Sequence, residues 1–562
     1  MSAAAEVAVH FDVPATMRDG VVLRANIYRP AAEARRPTLL VRTPYDKGDL
    51  EHHAWCGLDP VQAARDGFLV VLQDVRGRFA SDGEWEPGRY ERQDGHDTVE
   101  WAARLPWSNG RVGMCAGSYC GNAQLLAAAE APAGLACIVP TLTWAEPLDG
   151  LCSRGGAIEL GVAARWALEN GPNVLKRRAT SNAEYEAQMR KLIDDWDRLT
   201  ADGYWGLPVA DLPAVKRHAV PDLGGLGAIR HPEIADRYRV TDGYDQIAVP
   251  SLHIAGWYDI FAQGTLDNYE ALTARGRQTR LIVGPWTHHA FASPIGQQAF
   301  GARANRCGVA TSADASWHRL QNAWLRSHLD PSAEAELSEL PVRIFVMGCN
   351  QWRDLSGWPP AAETQRWFLT AEGGLCRGML PVTAGATTFT YDPADPVPVI
   401  GGNGVLAPPY VAGPFDQRSI EARPDVTLFS SEPLESDLEV VGRIFVTLHA
   451  ESDARATDWV ARLCDVHPDG RSMNVCDGIV RVMDDAHSCA AHVVDLWSTA
   501  HVFLRGHRVR VHVTSSSFPR WDRNLNTGNQ DTADYRRAEQ RIHHTARRPS
   551  FVDLPVPVER IS

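Results

Sequence analysis

The sequence predicts an α/β domain that is interrupted by a helical insertion and followed by an all-β domain. Apolar segments alternate with helical patterns in residues 1–144 and 242–354, as in a parallel sheet covered on both faces. Residues 145–241 carry helical periodicity and many charges but no convincing apolar strand. Short alternating segments separated by turn residues fill 355–562, which indicates a β-sandwich or a jelly roll.

The α/β elements follow from the pattern in chain order. Two alternating runs, 7–13 and 21–28, flank the turn residues Arg18-Asp19-Gly20 and predict a hairpin. Helices are expected at 61–66, 94–103 and 123–130, and the clearest amphipathic helix of the insertion at 183–198. The expected strands of the sheet are 37–42, 67–73, 111–115, 137–140, 249–255 and 279–283.

The C-terminal part consists of short alternating segments with few helical patterns between them. This spacing is typical of a sandwich, because each strand crosses a sheet once and ends in a turn. The segments expected to form strands are 366–370, 386–391, 426–430, 438–448, 458–465, 478–483 and 501–516.

The composition excludes several classes of protein. A chain of 562 residues with 44% hydrophobic and 22% charged residues is expected to be soluble and to fold as several domains. Its net charge of −13 argues against a nucleic-acid partner. No apolar run reaches the roughly 18 residues of a membrane span, and the start lacks the pattern of a Sec signal peptide. The eleven cysteines are scattered without C-x-x-C pairs, which favours reduced thiols and a cytoplasmic location.

A serine in a tight turn is the strongest sign of chemistry. Residues 113–122 lead from an apolar strand into a helix and place Ser118 in the turn between them. A nucleophilic serine needs such a turn because it lifts Oγ clear of the sheet, while the helix N-terminus presents N–H groups to an oxyanion. Taken alone the motif is weak, since a serine that merely caps a helix has similar neighbours.

Two later loops supply the partners that a serine needs. A serine hydroxyl is a poor nucleophile and requires a histidine base, which a carboxylate orients. Asp259 follows the strand expected at 249–255, and His288 follows the strand expected at 279–283. The order of nucleophile, acid and histidine, each just past a strand, indicates a catalytic triad.

These residues carry a resemblance to a known family. The chain is similar to the cocaine esterase and X-prolyl dipeptidyl peptidase family of serine α/β-hydrolases. The resemblance spans nearly the whole chain and implies a hydrolase domain, a helical cap and a C-terminal jelly roll, without cofactor or metal. The matching stretches are 74–78, 81–83, 117–121, 256–259, 284–288, 413–418, 423–426 and 541–543.

The resemblance also implies roles for individual residues. Ser118 corresponds to the nucleophile, Asp259 to the orienting acid and His288 to the general base. The oxyanion hole is expected to combine the backbone N–H of Tyr119 with the hydroxyl of Tyr45. The substrate pocket is expected to contain aromatic side chains, with Trp55 and Trp144 equally well explained by core packing. The expected pocket residues are Trp166, Phe261, Trp55 and Trp144.

Several residues have competing interpretations. The family usually has glycine two positions before the serine, where this chain has Ala116, so the turn is expected to be slightly reshaped. Asp267 is the nearest alternative acid, and His289 competes with His288 as the base. Tyr45 could instead be a packed loop aromatic. Asp74, Arg76 and Arg78 are expected to form a structural ion-pair cluster that braces their loop.

The sequence thus predicts a serine hydrolase that cleaves carboxylic esters with a bulky or aromatic acyl group through an acyl-serine. The alternatives are an acylase or amidase, an α-amino acid ester hydrolase, or an X-Pro dipeptidyl peptidase. The alternative that is not an enzyme is an inactive hydrolase fold that acts as a β-sandwich binding module. The expected partner is a small ester or amide, and whether the chain forms a homo-oligomer stays open.

Overall fold

The computed structural model describes residues 6–55, 57–306, 317–333, 340–378 and 385–559. Cys56 and Cys307, two of the cysteines expected to be reduced, lie outside these ranges. Within them all nine described cysteines are free thiols. No helix in the same ranges combines the length and the apolar character needed to cross a bilayer.

The N-terminal two thirds of the chain contain twelve strands and nine helices within the described ranges. The strands are β1 (Val7–Thr16), β2 (Val22–Pro30), β3 (Arg36–Thr43), β4 (Leu69–Asp74), β5 (Ser108–Gly117), β6 (Leu135–Thr141), β7 (Ser153–Arg154), β8 (Ala157–Ile158), β9 (Ser251–Tyr258), β10 (Thr279–Thr287), β11 (Val342–Val346) and β12 (Gln351–Leu355). The helices are α1 (Leu50–Trp55), α2 (Pro60–Arg65), α3 (Glu91–Ala103), α4 (Tyr119–Ala129), α5 (Leu160–Arg178), α6 (Asn182–Arg198), α7 (Pro213–Lys216), α8 (Ala262–Ala274) and α9 (Trp317–Leu329).

Ten of these strands form the hydrolase sheet, in the order β1-β2-β4-β3-β5-β6-β9-β10-β11-β12. Neighbours from β4 to β11 run parallel, and the pairs β1-β2, β2-β4 and β11-β12 are antiparallel. All residues of β4 and β9 are buried, because helices cover both faces of the sheet. The predicted hairpin and parallel sheet are therefore confirmed.

The insertion departs from the purely helical pattern expected for it. It contains the short hairpin β7-β8, and α6 matches the predicted amphipathic helix. Residues 199–241 form short 3-10 turns and loops around α7 instead of long helices. Prolines at positions 208, 213, 221 and 232 explain this, because each removes a backbone donor and interrupts regular helix.

The C-terminal part forms two packed antiparallel sheets, as predicted. Their facing sides share one apolar core, which includes Trp459, Leu463 and Val511. The predicted strand 501–516 is wrong, because it contains the end of one strand, a turn and a second strand. The elements are β13 (Ala362–Leu369), β14 (Leu375–Arg377), β15 (Ala386–Tyr391), α10 (Arg418–Glu421), β16 (Thr427–Ser430), β17 (Leu438–Ser452), β18 (Thr457–Val466), β19 (Ser472–Val482), β20 (Ala490–Phe503), β21 (Arg508–Thr514), β22 (Ala538–His543) and β23 (Phe551–Pro557).

The sandwich packs tightly against the rest of the molecule. Val441 and Val502 of the sandwich belong to the same apolar core as β9 and β10 of the hydrolase sheet. Arg154 of the insertion donates to the carbonyl of Asp477 (2.7 Å) and lies over the ring of Trp497 (3.6 Å). The boundaries expected near 144 and 241 fall between elements, whereas the one expected at 354/355 falls inside β12, before its last residue. Apolar and charged contacts join the parts of the chain across these boundaries.

Candidate active site

Ser118 occupies the sharp turn between β5 and α4. Its backbone is in the left-handed region (φ 58°, ψ −128°), and its N–H donates to the carbonyl of Thr141 (2.9 Å). A Cβ at Gly121 would meet Thr143 Cβ at 2.9 Å, so the turn requires a small residue there. Ala116 itself has φ 143°, a conformation that glycine adopts more readily. Ala116 and Ser118 thus hold some backbone strain in this turn.

His288 lies between Ser118 and Asp259. Its Nε2 is 3.1 Å from Ser118 Oγ, and its Nδ1 is 2.6 Å from Asp259 Oδ2. The other carboxylate oxygen of Asp259 accepts the backbone N–H of Phe261 (2.8 Å). Asp259 and His288 follow the last residues of β9 and β10, which are adjacent parallel strands. The sheet therefore brings the three residues together at one edge.

The competing acid and base lie elsewhere. Asp267 is on α8, where its carboxylate accepts from Gln263 Nε2 (2.7 Å) and lies 3.5 Å from Arg443 Nη1. The ring of His289 is adjacent to His288 and contacts Trp55 (centroids 6.0 Å apart). Ser118 and Asp259 both contact His288 instead, and His289 forms no hydrogen bond with either of them in the part of the chain that is described.

Tyr45 and Tyr119 are the two residues expected to form the oxyanion hole. Tyr45 precedes Ser118 in the chain, and Tyr119 follows it directly. The indole N–H of Trp166 donates to the Tyr45 hydroxyl (2.9 Å), so this oxygen acts as an acceptor in that contact. Tyr119 is the first residue of α4, where backbone N–H groups have no partner within the helix. Its side chain points away into the core and donates to Glu91 Oε1 (2.9 Å). Tyr119 can thus serve the site through its backbone alone.

A cavity of about 230 Å³ opens beside Ser118 and His288. Aromatic rings form much of its wall, and the Phe261 ring meets His288 edge-on (centroids 5.3 Å apart). Trp55 contacts the other side of His288 (5.5 Å). The remaining lining residues are Tyr45, His52, Val162, Arg165, Trp166, Glu169, Leu223, His289 and Val405.

Trp144 is not part of this wall. It is 1% exposed and packs edge-on behind Phe261 (4.9 Å), and its indole N–H faces the carbonyl of Tyr238 (3.3 Å). The packing interpretation therefore applies to Trp144, which supports Phe261 from behind. A single tryptophan has the same sequence signature in either place, so the sequence offered no means to separate them.

The sequence reasoning missed the polar side of the cavity. Arg165 and Glu169 lie one helical turn apart on α5 and form an ion pair (2.8 Å). Their spacing around Trp166 is a signal that identifies one helix face. His52 also lines the cavity, and burial together with the nearby His53 lowers the pKa of His52 to about 4, so it is uncharged at neutral pH.

The loop after β4 is braced by ion pairs, but not by those expected. Asp74 pairs with Lys47 (2.8 Å), and Arg76 pairs with Asp94 (2.7 Å). Arg78 donates to the carbonyl of Pro44 (2.7 Å), next to Tyr45. The three residues thus pair with other segments of the chain and not with one another. Arg78 fixes the backbone of the Tyr45 loop.

Comparisons with known proteins agree with this architecture. The family model for X-Pro dipeptidyl-peptidase (S15 family) matches residues 19–290, and the model for the X-Pro dipeptidyl-peptidase C-terminal non-catalytic domain matches 337–553. The chain is 34% identical over 578 residues to the cocaine esterase of Rhodococcus sp. (strain MB1 Bresler), covering 97% of this chain and 98% of that protein.

Two solved structures are similar along the whole chain. An aminopeptidase from the marine sediment archaeon Thaumarchaeota archaeon has a TM-score of 0.78 and 24% identity, covering 99% of this chain and 97% of that one. An α-amino acid ester hydrolase has a TM-score of 0.77, with the same identity and coverage. At this identity the likeness shows the fold. The chain therefore belongs to the cocaine esterase and X-Pro dipeptidyl-peptidase family of serine α/β-hydrolases.

Proposed function

We propose that this serine ester hydrolase cleaves carboxylic esters with a bulky or aromatic acyl group through an acyl-serine intermediate on Ser118. The observation that carries the proposal is the continuous contact from Ser118 Oγ through His288 to Asp259 beside an aromatic cavity. Ester hydrolysis needs a nucleophile, a base and an apolar site for the acyl group, and these residues supply all three.

In the first half-reaction Ser118 Oγ attacks the ester carbonyl carbon, and His288 Nε2 takes the hydroxyl proton. Asp259 accepts the Nδ1–H of His288, which keeps Nε2 as the proton acceptor and stabilises the imidazolium. The tetrahedral intermediate then expels the alcohol, which takes the proton from His288 and leaves an acyl-serine. In the second half-reaction water attacks the acyl carbon, again with His288 as base. His288 then returns this proton to Ser118 Oγ as the carboxylic acid is released.

The oxyanion hole of the proposal combines the Tyr119 backbone N–H with the Tyr45 hydroxyl. Because the Tyr45 oxygen accepts the Trp166 indole N–H, its own hydrogen is the donor that we assign to the oxyanion. Hydrogen-bond donors that are already in position before the reaction stabilise the developing negative charge without reorganisation. Each such donor lowers the activation free energy by about 3–4 kcal/mol.

The cavity favours an uncharged acyl group. Trp55, Trp166 and Phe261 present apolar ring surface beside the nucleophile. An α-amino acid ester or a peptide N-terminus would need carboxylates for its ammonium group. Among the described lining residues, Glu169 is the one carboxylate apart from the triad, and Arg165 already neutralises it. Acylase, amidase and aminopeptidase activities are therefore second to ester hydrolysis.

Labelling with a fluorophosphonate tests the nucleophile, and a substrate panel tests the acyl group. We expect Ser118→Ala to abolish both the labelling and the ester hydrolysis, while an unlabelled wild type would favour an inactive hydrolase fold that acts as a β-sandwich binding module. Benzoyl, acetyl and aminoacyl esters are then compared with the matching amides. A higher kcat/KM for aminoacyl esters or amides than for benzoyl esters would contradict the acyl-group assignment.

We also propose a cytoplasmic location. Nine free thiols fit a reducing compartment, since disulfides are rare there. Fractionation of cells tests the location. Sedimentation velocity of the purified chain tests whether it forms a homo-oligomer.

A further inference from the structure

A second cavity, of about 170 Å³, lies between the hydrolase sheet and the sandwich. One wall contains Tyr258, Phe300 and Met347 of the hydrolase part. The opposite wall contains one carboxylate and three imidazoles of the sandwich, and no triad residue is among the lining residues described. These four polar residues are Asp465 at the end of β18, His467 just after it, His501 on β20 and His507 before β21.

Three of these side chains converge with the spacing of metal ligands. The nearest ligand atoms of Asp465, His467 and His507 all lie within 4.8 Å of one another. Asp465 Oδ1 is 2.7 Å from His507 Nδ1, and Oδ2 is 3.9 Å from His467 Nε2. Zinc bonds of about 2.0–2.2 Å at tetrahedral angles separate their ligands by about 3.3 Å. The observed separations lie on both sides of that value.

Hydrogen bonding alone does not account for the cluster. At 3.9 Å the contact from His467 to Asp465 is too long for a hydrogen bond, yet the His467 ring packs against His507 (4.5 Å) with its nitrogen towards the carboxylate. Arg471 reaches the other nitrogen of His467 only at 3.5 Å and is itself paired with Asp469. The His467 ring is thus oriented without a strong partner within the described chain.

Each oxygen of the Asp465 carboxylate has an imidazole partner. His507 Nδ1 lies 2.7 Å from Oδ1. His501 Nε2 donates to Oδ2 (3.1 Å), the arrangement by which outer residues orient a metal-binding carboxylate. His501 Nδ1 is buried and has no hydrogen-bond partner among the described residues.

We propose that Asp465, His467 and His507 bind one divalent transition-metal ion, with His501 as a positioning residue for Asp465. Two imidazoles and a carboxylate are the donors that zinc prefers, and the cavity has room for water as a fourth ligand. The ion would take the place of the proton between His507 and Asp465, which is released to solvent, and would bring His467 Nε2 closer to Asp465 as a third ligand. Because the ligands come from β18 and from the turn between β20 and β21, the ion would tie these strands together and stabilise the sandwich without entering catalysis.

The test is binding of Zn²⁺ to protein first stripped of metal with a chelator, measured by calorimetry, with Co²⁺ absorption as a report on the ligands. We expect one ion bound at this site and a Tm that rises with Zn²⁺. His507→Ala and His467→Ala should each weaken that binding at least 100-fold, and His501→Ala about 10- to 100-fold.

The matched control is His543→Ala, which removes a ligand from a second group formed by Glu451, Cys489 and His543. It should leave the affinity of the first site unchanged. The His467 side chain is partly exposed (19%), so His467→Gln is a mild substitution, and its metal-free Tm should equal that of the metal-free wild type. No Zn²⁺ bound at 1 mM, or equal affinity in the wild type and in His507→Ala and His467→Gln, would overturn the proposal. Chelation should leave kcat for esters unchanged.

Discussion

Replacement of Asp259 by asparagine tests the hydrogen bond between Asp259 and His288 in the proposed triad. The two carboxylate oxygens have different partners, because Oδ2 faces His288 Nδ1 (2.6 Å) and Oδ1 accepts the Phe261 N–H (2.8 Å). An asparagine keeps the Phe261 bond only if its NH₂ group faces His288. The imidazole must then present a lone pair at Nδ1 and carry its proton on Nε2. In that tautomer it cannot take the proton of Ser118.

The opposite orientation of the amide is disfavoured by the same geometry. It would point NH₂ at the N–H of Phe261 and leave that buried donor without an acceptor, at a cost of about 1–3 kcal/mol. The wrong tautomer should therefore predominate. In a serine hydrolase with the same contacts, an aspartate-to-asparagine change of this kind lowers kcat by about 10⁴, which corresponds to about 5.5 kcal/mol of barrier.

The assay is hydrolysis of a p-nitrophenyl ester at pH 7–8, with the Tm of each protein as a measure of folding. Asp267→Asn is the matched control, because Asp267 is the next acid along the chain and contacts Gln263 and Arg443 instead of His288. We expect kcat of Asp259→Asn to fall about 10⁴-fold and kcat of Asp267→Asn to change less than twofold. A kcat of Asp259→Asn within tenfold of wild type, at unchanged Tm, would refute this reasoning.

Three further variants test other parts of the structure. Tyr45→Phe should lower kcat by about 10²–10³ with little change in KM, since the donor acts on the transition state, and an equal kcat in steady-state assays would exclude Tyr45 from the oxyanion hole. Burial raises the pKa of Asp267 to about 6. Between pH 4 and 6 the carboxyl group is therefore protonated in the folded state but has lost its proton in the unfolded state. The free energy of unfolding should fall as pH rises through this window. Asp267→Asn should weaken that fall in Tm, and parallel Tm curves would argue against it. Arg154→Ala should lower the free energy of unfolding in urea by about 3–5 kcal/mol, because it leaves buried acceptors unpaired. The control Arg18→Ala removes a surface ion pair and should cost under about 1 kcal/mol. Equal effects of the two changes would contradict the role of burial.

The parts of the site that lie next to strand ends were predictable from the sequence. Ser118, Asp259 and His288 each follow an apolar strand, and in a parallel sheet all such ends lie at one edge. The alternation of buried strands and helices in the sequence predicts a parallel sheet, and so predicts which strand ends share that edge. The triad residues were therefore accessible to pattern alone, and their roles remain the proposal that the Asp259→Asn experiment tests.

What escaped prediction depends on packing between distant segments. Trp144 and Trp166 have equivalent local sequence signals, but one packs behind Phe261 and the other lines the cavity. The strand predicted at 501–516 failed because alternation continues across the turn that contains His507. The cluster of Asp465 with His467, His501 and His507 could not be predicted from one sequence segment, because its residues come from β18, β20 and the turn before β21.

A loop of the sandwich links Asp259, the proposed acid of the triad, to the inserted cap. The carboxylate of Asp259 is positioned by the hydrolase strand β9, while its backbone carbonyl accepts from Asn403 Nδ2 in the sandwich (3.2 Å). Two residues further on, Val405 lines the cavity, and the carbonyl of Leu406 accepts from Arg165 of the inserted cap (2.9 Å). One loop of the sandwich thus holds the acid, closes the pocket and fixes the cap helix. Because one loop makes all of these contacts, we expect a change in this loop to alter both catalysis and specificity.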